Sequence, residues 1–292
     1  MKRLCLALCV LSAVLYSVGC SPALPSFVPF DTEEETMESS PEAENDPTIP
    51  LLSLDGRRYS FTGNDKAISV KDDLLSIKEA GTYRLTGDLT EGGLSVEVGW
   101  GETVRLILDG ISIRSSGRAA LSVSSSAAVI VESEVHSVNV LFSESDAVIQ
   151  GNTNLIFCGK GSLSLSGAKY AVRSSGTIAI EDGILRATAS EYGFFSEKRI
   201  DILGGKVAVN AAKFGYATKE TSSSLGGIYL YGGQITAVCS EAALSAQTQI
   251  LLAGGVGSFE SPMYYQCEHV ENGKTVKGAI LKTGGSFPPL PS

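Results

Sequence analysis

Aromatic side chains recur along this chain at a regular spacing. Tyr170, Tyr192 and Phe214 follow one another at intervals of 22 residues, and Tyr229 and Tyr231 occupy alternate positions of a later apolar segment. Aromatic rings can stack on the apolar faces of sugar rings, and nearby carboxylates can accept hydrogen bonds from sugar hydroxyls. The residue types therefore indicate two candidate surfaces for carbohydrate.

The first candidate surface, here called the strand face, comprises Glu181, Asp201, Tyr229 and Tyr231. Each lies between or just after the apolar positions of an Ile-x-Ile segment, so we expect the four side chains to point outward with both tyrosines exposed. The alternative is that tyrosine only fills a half-covered strand surface, where β-propensity favours it.

The second candidate surface is the aromatic ladder, Tyr170, Tyr192 and Phe214. Rings stacked on successive strands would lie about 4.8 Å apart, close to the rise of a sugar residue along an extended glycan. The alternative is a stack of rings inside the fold, which contributes to stability rather than to binding.

Catalytic residues are less clearly indicated. The two histidines are far apart in sequence, and the chain has no GxSxG, HExxH or P-loop motif. Arg173 and Arg199 are candidate bases for a polysaccharide lyase, and Asp182 with Asp201 is a candidate carboxylate pair for a glycoside hydrolase. No clustered carboxylates accompany the two arginines in sequence.

The elements that would position these residues form an internal repeat. Four segments with an apolar-x-apolar pattern and a following glycine begin 22, 28 and 22 residues apart, at Ile178, Ile200, Ile228 and Ile250. A polar loop at 219–224 accounts for the longer interval. Alternation of apolar residues continues after the first three glycine positions, which is typical of strands with one buried face.

A unit of about 22 residues cannot bury its apolar face alone and must stack on its neighbours. The sequence therefore predicts an all-β, single-stranded parallel β-helix in which the four isoleucines form one inward ladder. An antiparallel sandwich also uses many short strands, but it does not require matching residues at a fixed period.

The segment Gly81-Thr-Tyr-Arg-Leu-Thr-Gly87, followed by the Ile-x-Ile-x-Gly-Gly repeats, resembles a bacterial carbohydrate-binding domain family first described in clostridial surface proteins. The resemblance covers roughly residues 60–260. It implies a right-handed, pectate-lyase-like parallel β-helix that binds plant-type or acidic polysaccharide at the cell surface, with calcium in some members.

Two stretches depart from the family pattern. Relatives carry acidic pairs before the Ile-x-Ile strand, whereas this chain has Arg173-Ser-Ser-Gly176 and Ser196-Glu-Lys-Arg199. Calcium takes six to eight oxygen ligands, usually including several carboxylates. We therefore predict no cofactor and place no metal site, although the resemblance leaves calcium open.

The N-terminus has the features of a targeting segment. Lys2 and Arg3 precede an apolar run that ends at Ser17-Val-Gly-Cys20, which resembles a bacterial lipobox. We predict a lipoprotein signal peptide at 1–19, lipidation of Cys20, and an extracytoplasmic chain anchored to a bacterial membrane by lipid. The alternative is an ordinary secretory signal with a chance cysteine.

Composition and charge divide the rest of the chain. The net charge is −9, of which the Pro-, Ser- and Glu-rich tether at 20–50 carries −8 and the signal segment +2, leaving −3 for residues 51–292. We expect those residues to form the β-helix, with an N-terminal and a short C-terminal cap. The absence of a basic stripe argues against binding to nucleic acid.

The leading hypothesis is a non-catalytic, polysaccharide-binding surface lipoprotein. A β-helix lyase or hydrolase and a structural or adhesion protein without sugar binding remain as alternatives.

Overall fold

The computed structural model describes residues 46–126, 128–167, 169–221 and 226–291. The signal peptide, Cys20 and all but the end of the tether lie outside the described residues. Within them the chain is almost entirely β, with one short 3-10 helix at Asp65–Ala67. None of the described helical segments is long and apolar enough to span a membrane. The strands wind into a parallel β-solenoid of about 8 turns with about 24 residues per turn.

The strands, in chain order, are β1 (Leu51–Gly56), β2 (Arg58–Phe61), β3 (Ile68–Lys71), β4 (Leu74–Ile77), β5 (Gly81–Leu89), β6 (Gly93–Glu97), β7 (Thr103–Ser115), β8 (Leu121–Ser125), β9 (Ala128–Ser133), β10 (Val138–Ser143), β11 (Ala147–Gly151), β12 (Asn154–Gly159), β13 (Ser162–Gly167), β14 (Tyr170–Ser174), β15 (Ile178–Ile180), β16 (Ile184–Ala189), β17 (Tyr192–Ser196), β18 (Arg199–Ile202), β19 (Lys206–Ala211), β20 (Phe214–Thr218), β21 (Gly227–Leu230), β22 (Gln234–Cys239), β23 (Ala242–Ala246), β24 (Gln249–Leu252), β25 (Val256–Glu260), β26 (Met263–Glu271), β27 (Lys274–Lys277) and β28 (Ala279–Lys282).

Three parallel columns of strands form the faces of the solenoid. Face one runs from β5 and β7 through β9, β12, β15, β18, β21 and β24 to β28. Face two runs from β1 through the second halves of β5 and β7 to β10, β13, β16, β19, β22 and β25. Face three runs from β4 through β6, β8, β11, β14, β17, β20 and β23 to β26. The long strands β5 and β7 bend and belong to faces one and two together.

Antiparallel pairs lie at both ends of the parallel stack. At the N-terminal end β2 pairs with β1 and β3 pairs with β4, and at the C-terminal end β27 pairs with β26. The antiparallel strands interrupt the repeating parallel pattern where it would otherwise present an open edge to another chain.

The predicted isoleucine ladder is confirmed. Ile178, Ile200, Ile228 and Ile250 are register partners on consecutive strands of face one, and all four are 0% exposed. Because parallel pairing repeats every turn, a side chain that points inward on one turn places its counterpart inward on the next. The antiparallel sandwich is therefore wrong for this chain.

Glycine pairs turn the chain from face one to face two. Gly205 and Gly233 have φ angles of +79° and +81°, a backbone conformation that a side chain strains. A Cβ atom on Gly233 would also lie 2.7 Å from the carbonyl oxygen of Gly204 on the preceding turn. The repeated glycines thus allow successive corners to stack closely.

The interior contains its own aromatic stack, which the sequence analysis did not single out. The rings of Phe194 and Tyr216 lie parallel with centroids 5.4 Å apart, and Phe157 meets Phe194 edge-on at 6.3 Å. All three side chains are buried in the core, as is Cys239. Burial raises the pKa of the Cys239 thiol to about 11.

Candidate functional site

The strand face lies on the outside of face one, in the predicted register. Asp201 pairs with Ala179 on the preceding turn and with Tyr229 on the following one. Glu181 and Tyr231 come directly after their strands, and the backbone of each continues the pairing with the turn before. The structure therefore brings Asp201, Tyr229 and Tyr231 together, with Glu181 exposed toward the corner.

The two tyrosines differ in exposure, which corrects the expectation that both are exposed. Tyr231 is 45% exposed, whereas Tyr229 is only 8% exposed. The guanidinium carbon of Arg199 lies 3.9 Å from the centroid of the Tyr229 ring, and the Tyr229 hydroxyl donates to the Gly226 carbonyl at 2.9 Å. Tyr229 points outward but is covered by Arg199, a residue that sequence reasoning treated only as a candidate base.

Arg199 connects the polar groups of the strand face. Its Nε donates to Oδ1 of Asp201 at 2.7 Å, and its Nη2 donates to the hydroxyl of Tyr231 at 3.3 Å. The rings of Tyr229 and Tyr231 are nearly parallel, at 10°, with centroids 6.4 Å apart. The network holds the exposed ring of Tyr231 in one position without burying it.

Burial and ion pairing shift the pKa of each charged group in this network in opposite directions. Burial raises the pKa of the Asp201 carboxyl, although hydrogen bonding and attraction to Arg199 oppose the rise. Burial lowers the pKa of Arg199, but the hydrogen bond to Asp201 and the attraction of its carboxylate oppose this effect, and the pKa lies above its ordinary value. Arg199 is thus firmly protonated and poorly suited to act as a base.

The aromatic ladder forms on the outer surface of face three. Ring centroids are 4.9 Å apart between Tyr170 and Tyr192 and 5.4 Å apart between Tyr192 and Phe214, with interplanar angles of 12° and 18°. The interior is occupied instead by other residues of the same strands, such as Ala171 and Phe194. The expected stacking is present, and the stack lies outside the continuous core cluster.

Neighbouring side chains take up most of the ladder's ring surface. Phe195 lies 5.4 Å from the centroids of both Tyr170 and Tyr192, and Lys169 and Arg173 lie over Tyr170 at 5.1 and 5.4 Å. Tyr170 is consequently 8% exposed. Because each ring faces the next ring of the stack, the ladder presents mainly edges to solvent, whereas sugar stacking requires an open face.

The candidate acids and bases are engaged elsewhere. Asp182 accepts a hydrogen bond from the Gly183 backbone N–H at 2.8 Å, while Asp201 belongs to the Arg199 network. Arg173 pairs with Asp146 at 3.2 Å and with Glu197 at 3.7 Å. The structure does not assemble these residues into one acid–base pair.

The oxygen atoms around Arg173, where this chain departs from the family pattern, do not fit calcium. Two of the nearby carboxylates, Asp146 and Glu197, form ion pairs with Arg173. The positive charge of Arg173 would repel a calcium ion bound to these carboxylates. Across the described residues, no group of three or more His, Cys, Asp or Glu side chains is arranged to hold a metal ion.

Trp100 is a candidate ligand-binding residue that the sequence pattern did not reveal. Its side chain is 94% exposed in the turn between β6 and β7. Trp100 belongs to no repeat, so a search for periodic aromatics passes over it. The available signal was its position between Gly99 and Gly101, which marks a turn rather than a strand.

The fold defines the class of protein: a parallel β-solenoid with aromatic residues on its outer faces. A family model described as "Carbohydrate-binding domain-containing protein" matches residues 71–282. The chain belongs to this family.

A solved structure shares the fold. It is titled as a polysaccharide lyase-like protein from C. thermocellum, a gadolinium derivative, and it superposes with a TM-score of 0.74 at 19% sequence identity. The alignment covers 82% of this chain and 99% of that one. A search of curated proteins finds no match.

Proposed function

We propose that this chain binds polysaccharide without cleaving it, through the strand face centred on Tyr231. The observation that carries the proposal is the network in which Arg199 bonds Asp201 and Tyr231 and covers Tyr229. A ring that is held in place before the ligand arrives loses little conformational entropy on binding. Tyr231 supplies the apolar surface, and the flanking Arg199, Asp201 and Glu181 supply hydrogen-bonding groups for sugar hydroxyls.

The pairing of the candidate catalytic groups supports a role without catalysis. A hydrolase needs one carboxyl group to donate a proton and a second to act as base or nucleophile. Here Asp201 is bonded to Arg199, and Asp182 accepts a backbone hydrogen bond. The similar solved structure is titled lyase-like, so lyase activity is the second candidate and the experiment below includes product analysis.

The binding experiment compares two exposed tyrosines. Tyr231→Ala should weaken binding by roughly 1–3 kcal/mol, the scale seen for ring stacking on nucleic-acid bases. Tyr59→Ala is the matched control, because Tyr59 is 46% exposed on a different part of the solenoid. Affinity electrophoresis in gels containing xylan, β-glucan, galactomannan or polygalacturonate measures retardation, and chromatography of the incubated polysaccharide detects new ends.

Each result has a distinct meaning. Retardation that is weaker in Tyr231→Ala and unchanged in Tyr59→Ala, with no new chain ends, agrees with the proposal. Unsaturated or reducing ends would establish a lyase or a hydrolase instead. Wild-type protein that none of the gels retards would point to a structural or adhesion role.

We also propose that Cys20 carries lipid and holds the domain outside a bacterial membrane. The support is the sequence Ser17-Val-Gly-Cys20 after a basic and apolar segment, together with an acidic tether long enough to separate domain and bilayer. In cells, Cys20→Ala should leave the precursor uncleaved or release the protein into soluble fractions. Unchanged processing together with unchanged detergent partitioning would refute lipidation.

A further inference from the structure

The side chain of Trp100 stands in solvent on a well-defined turn. Glu102 shapes this turn, because its carboxylate accepts from the Gly99 N–H at 2.7 Å and its own N–H donates to the Gly99 carbonyl at 3.1 Å. Gly101 completes the turn with a φ of +95°. Because the indole is 94% exposed, the large free energy available from burying its apolar surface is not gained on folding. This exposure points to a ligand that covers the ring.

A trough of about 330 Å³ begins at Trp100. Its lining comes from the same corner, between faces three and one, on successive turns, and includes Trp100, Asn152, Asn154, Ser175 and Lys198. The strands that follow these corners are paired in register from Thr103 through Ala128 to Asn154. With turns about 4.8 Å apart, the four steps from Trp100 to Lys198 span about 19 Å.

The floor of the trough is fixed by hydrogen bonds from one turn to the next. Thr153 Oγ1 donates to the Ser126 carbonyl at 2.9 Å, and Ser196 Oγ donates to the Gly176 carbonyl at 2.7 Å. The side-chain oxygen of Asn154 accepts from the Thr177 N–H at 2.9 Å. A lining that is bonded to the backbone in this way is formed before any ligand binds, which lowers the entropic cost of binding.

The lining chemistry suits an uncharged, hydroxyl-rich ligand. It contains amide and hydroxyl side chains, which both donate and accept hydrogen bonds, and no Asp or Glu. Lys198 is the single charged residue that lines it, whereas a polyanion would require a row of cations to replace its counterions. An extended chain of sugars has the required length and repeats its hydroxyls along the axis, as the trough repeats its polar groups.

We propose that this trough is a second glycan-binding site, which takes an extended uncharged oligosaccharide with one sugar ring stacked on Trp100. The proposal deepens the proposed polysaccharide binding and rests on it, but it names a different surface from the strand face. Trp100 supplies the open ring face, and Asn152, Asn154 and Ser175 supply hydrogen bonds to successive sugars.

The test uses the fact that Trp100 is the sole tryptophan of the chain. Cellohexaose, xylohexaose and mannohexaose are titrated into the protein while indole emission and acrylamide quenching are followed. We expect at least one hexasaccharide to shift the emission to the blue and to protect the indole from quenching. Tyr231→Ala should retain this response, because the strand face is separate from the trough.

Substitutions then assign the response to the trough. In calorimetric titrations with the same hexasaccharide, Trp100→Ala should bind at least about tenfold more weakly, and Trp100→Phe should bind with intermediate affinity. Val138→Ala is the control, since Val138 is 68% exposed and does not line the trough. None of these variants should change the unfolding midpoint, because the side chains that they alter lie in solvent.

Other outcomes separate the two proposals. Calorimetric hexasaccharide binding with unmoved indole emission and full binding by Trp100→Ala would overturn the trough and leave the proposed function intact. An indole response with Tyr231→Ala binding like wild type in every assay would keep the trough and reject the strand face. Absence of binding to every glycan would reject both. A response to polygalacturonate alone, or to phosphatidylcholine vesicles alone, would overturn the uncharged-glycan assignment.

Discussion

Arg199 lies directly over the ring of Tyr229, with 3.9 Å between the guanidinium carbon and the ring centroid. The strand pattern predicts the same outward position for Tyr229 and Tyr231, but this contact gives the two side chains different exposures. Tyr229 becomes part of the support, and Tyr231 is left as the exposed ring. In the binding mode that we propose, Arg199 therefore has two roles: it supports the ring of Tyr231 and it offers hydrogen bonds to sugar hydroxyls.

Removal of Arg199 should destabilise the fold. Arg199→Ala leaves the largely covered carboxylate of Asp201 without its ion pair and uncovers Tyr229, so we expect a loss of about 1–3 kcal/mol in the free energy of unfolding. Arg186→Ala is the control, since Arg186 is half-buried and forms no ion pair with any described residue. Urea denaturation measures both variants, and equal losses would contradict the role given to Arg199.

The isoleucine ladder predicts a strong difference between neighbouring positions. Ile200→Asn places an amide in the apolar interior and removes packing, which should cost about 3–5 kcal/mol. Ala179→Asn, on the outward side of the adjacent turn, should cost less than about 1 kcal/mol. Chemical denaturation compares the two, and losses of similar size would contradict the register of face one.

The buried hydroxyl of Tyr216 should be dispensable. It has no hydrogen-bond partner among the described residues, and the side chain is 0% exposed. Tyr216→Phe removes an unpaired polar group, so we expect thermal stability to rise by the equivalent of about 1 kcal/mol. Tyr265→Phe should instead lose about 1 kcal/mol, because the Tyr265 hydroxyl donates to the Pro288 carbonyl at 3.0 Å. The same sign for both variants would argue against this assignment.

The aromatic ladder should contribute to stability more than to binding. Tyr192→Ala removes a ring stacked between Tyr170 and Phe214, so we expect it to lower the free energy of unfolding by about 2–4 kcal/mol. Glycan affinity, measured well below the unfolding transition, should remain that of the wild type. A variant that keeps its stability and loses affinity would make the ladder a binding surface after all.

Glu97 predicts a pH dependence of stability. Hydrogen bonds from Lys78, Ser76 and Ser95 stabilise its carboxylate and hold its pKa below the ordinary value. An acid whose pKa is lowered by folding stabilises the native state above the unfolded-state pKa, and the contribution is lost as the pH falls through the folded-state pKa.

The Glu97 contribution should be modest because the ion pair with Lys78 is partly exposed. Glu97→Gln should therefore reduce stability by about 0.5–1 kcal/mol at neutral pH, and its unfolding curve should converge with that of the wild type in acid. Denaturation across a pH series measures the difference between the two proteins. A constant difference down to the acid limit would show that the charge is not responsible.

The sequence by itself determined the architecture, because a parallel solenoid repeats the same environment once per turn. The recurrence of one apolar pattern at Ile178, Ile200, Ile228 and Ile250 was sufficient to predict an inward ladder, and alternation in the strands indicated which side chains share a face. The spacing of Tyr170, Tyr192 and Phe214 likewise predicted rings in contact. Periodicity records which residues are neighbours.

The period of the sequence does not show which side chains cover a given residue. Only the tertiary structure decided the exposure of each side chain. Strict alternation would place Tyr192 and Phe194 on the same face, yet Tyr192 lies in the outer ladder and Phe194 is buried in the core, because two consecutive residues of this strand, Gly193 and Phe194, are both buried. Arg199 covers Tyr229 through the three-dimensional path of a long side chain. Trp100 is exposed because it lies in a turn between two strands, and no repeat in the sequence predicts that turn.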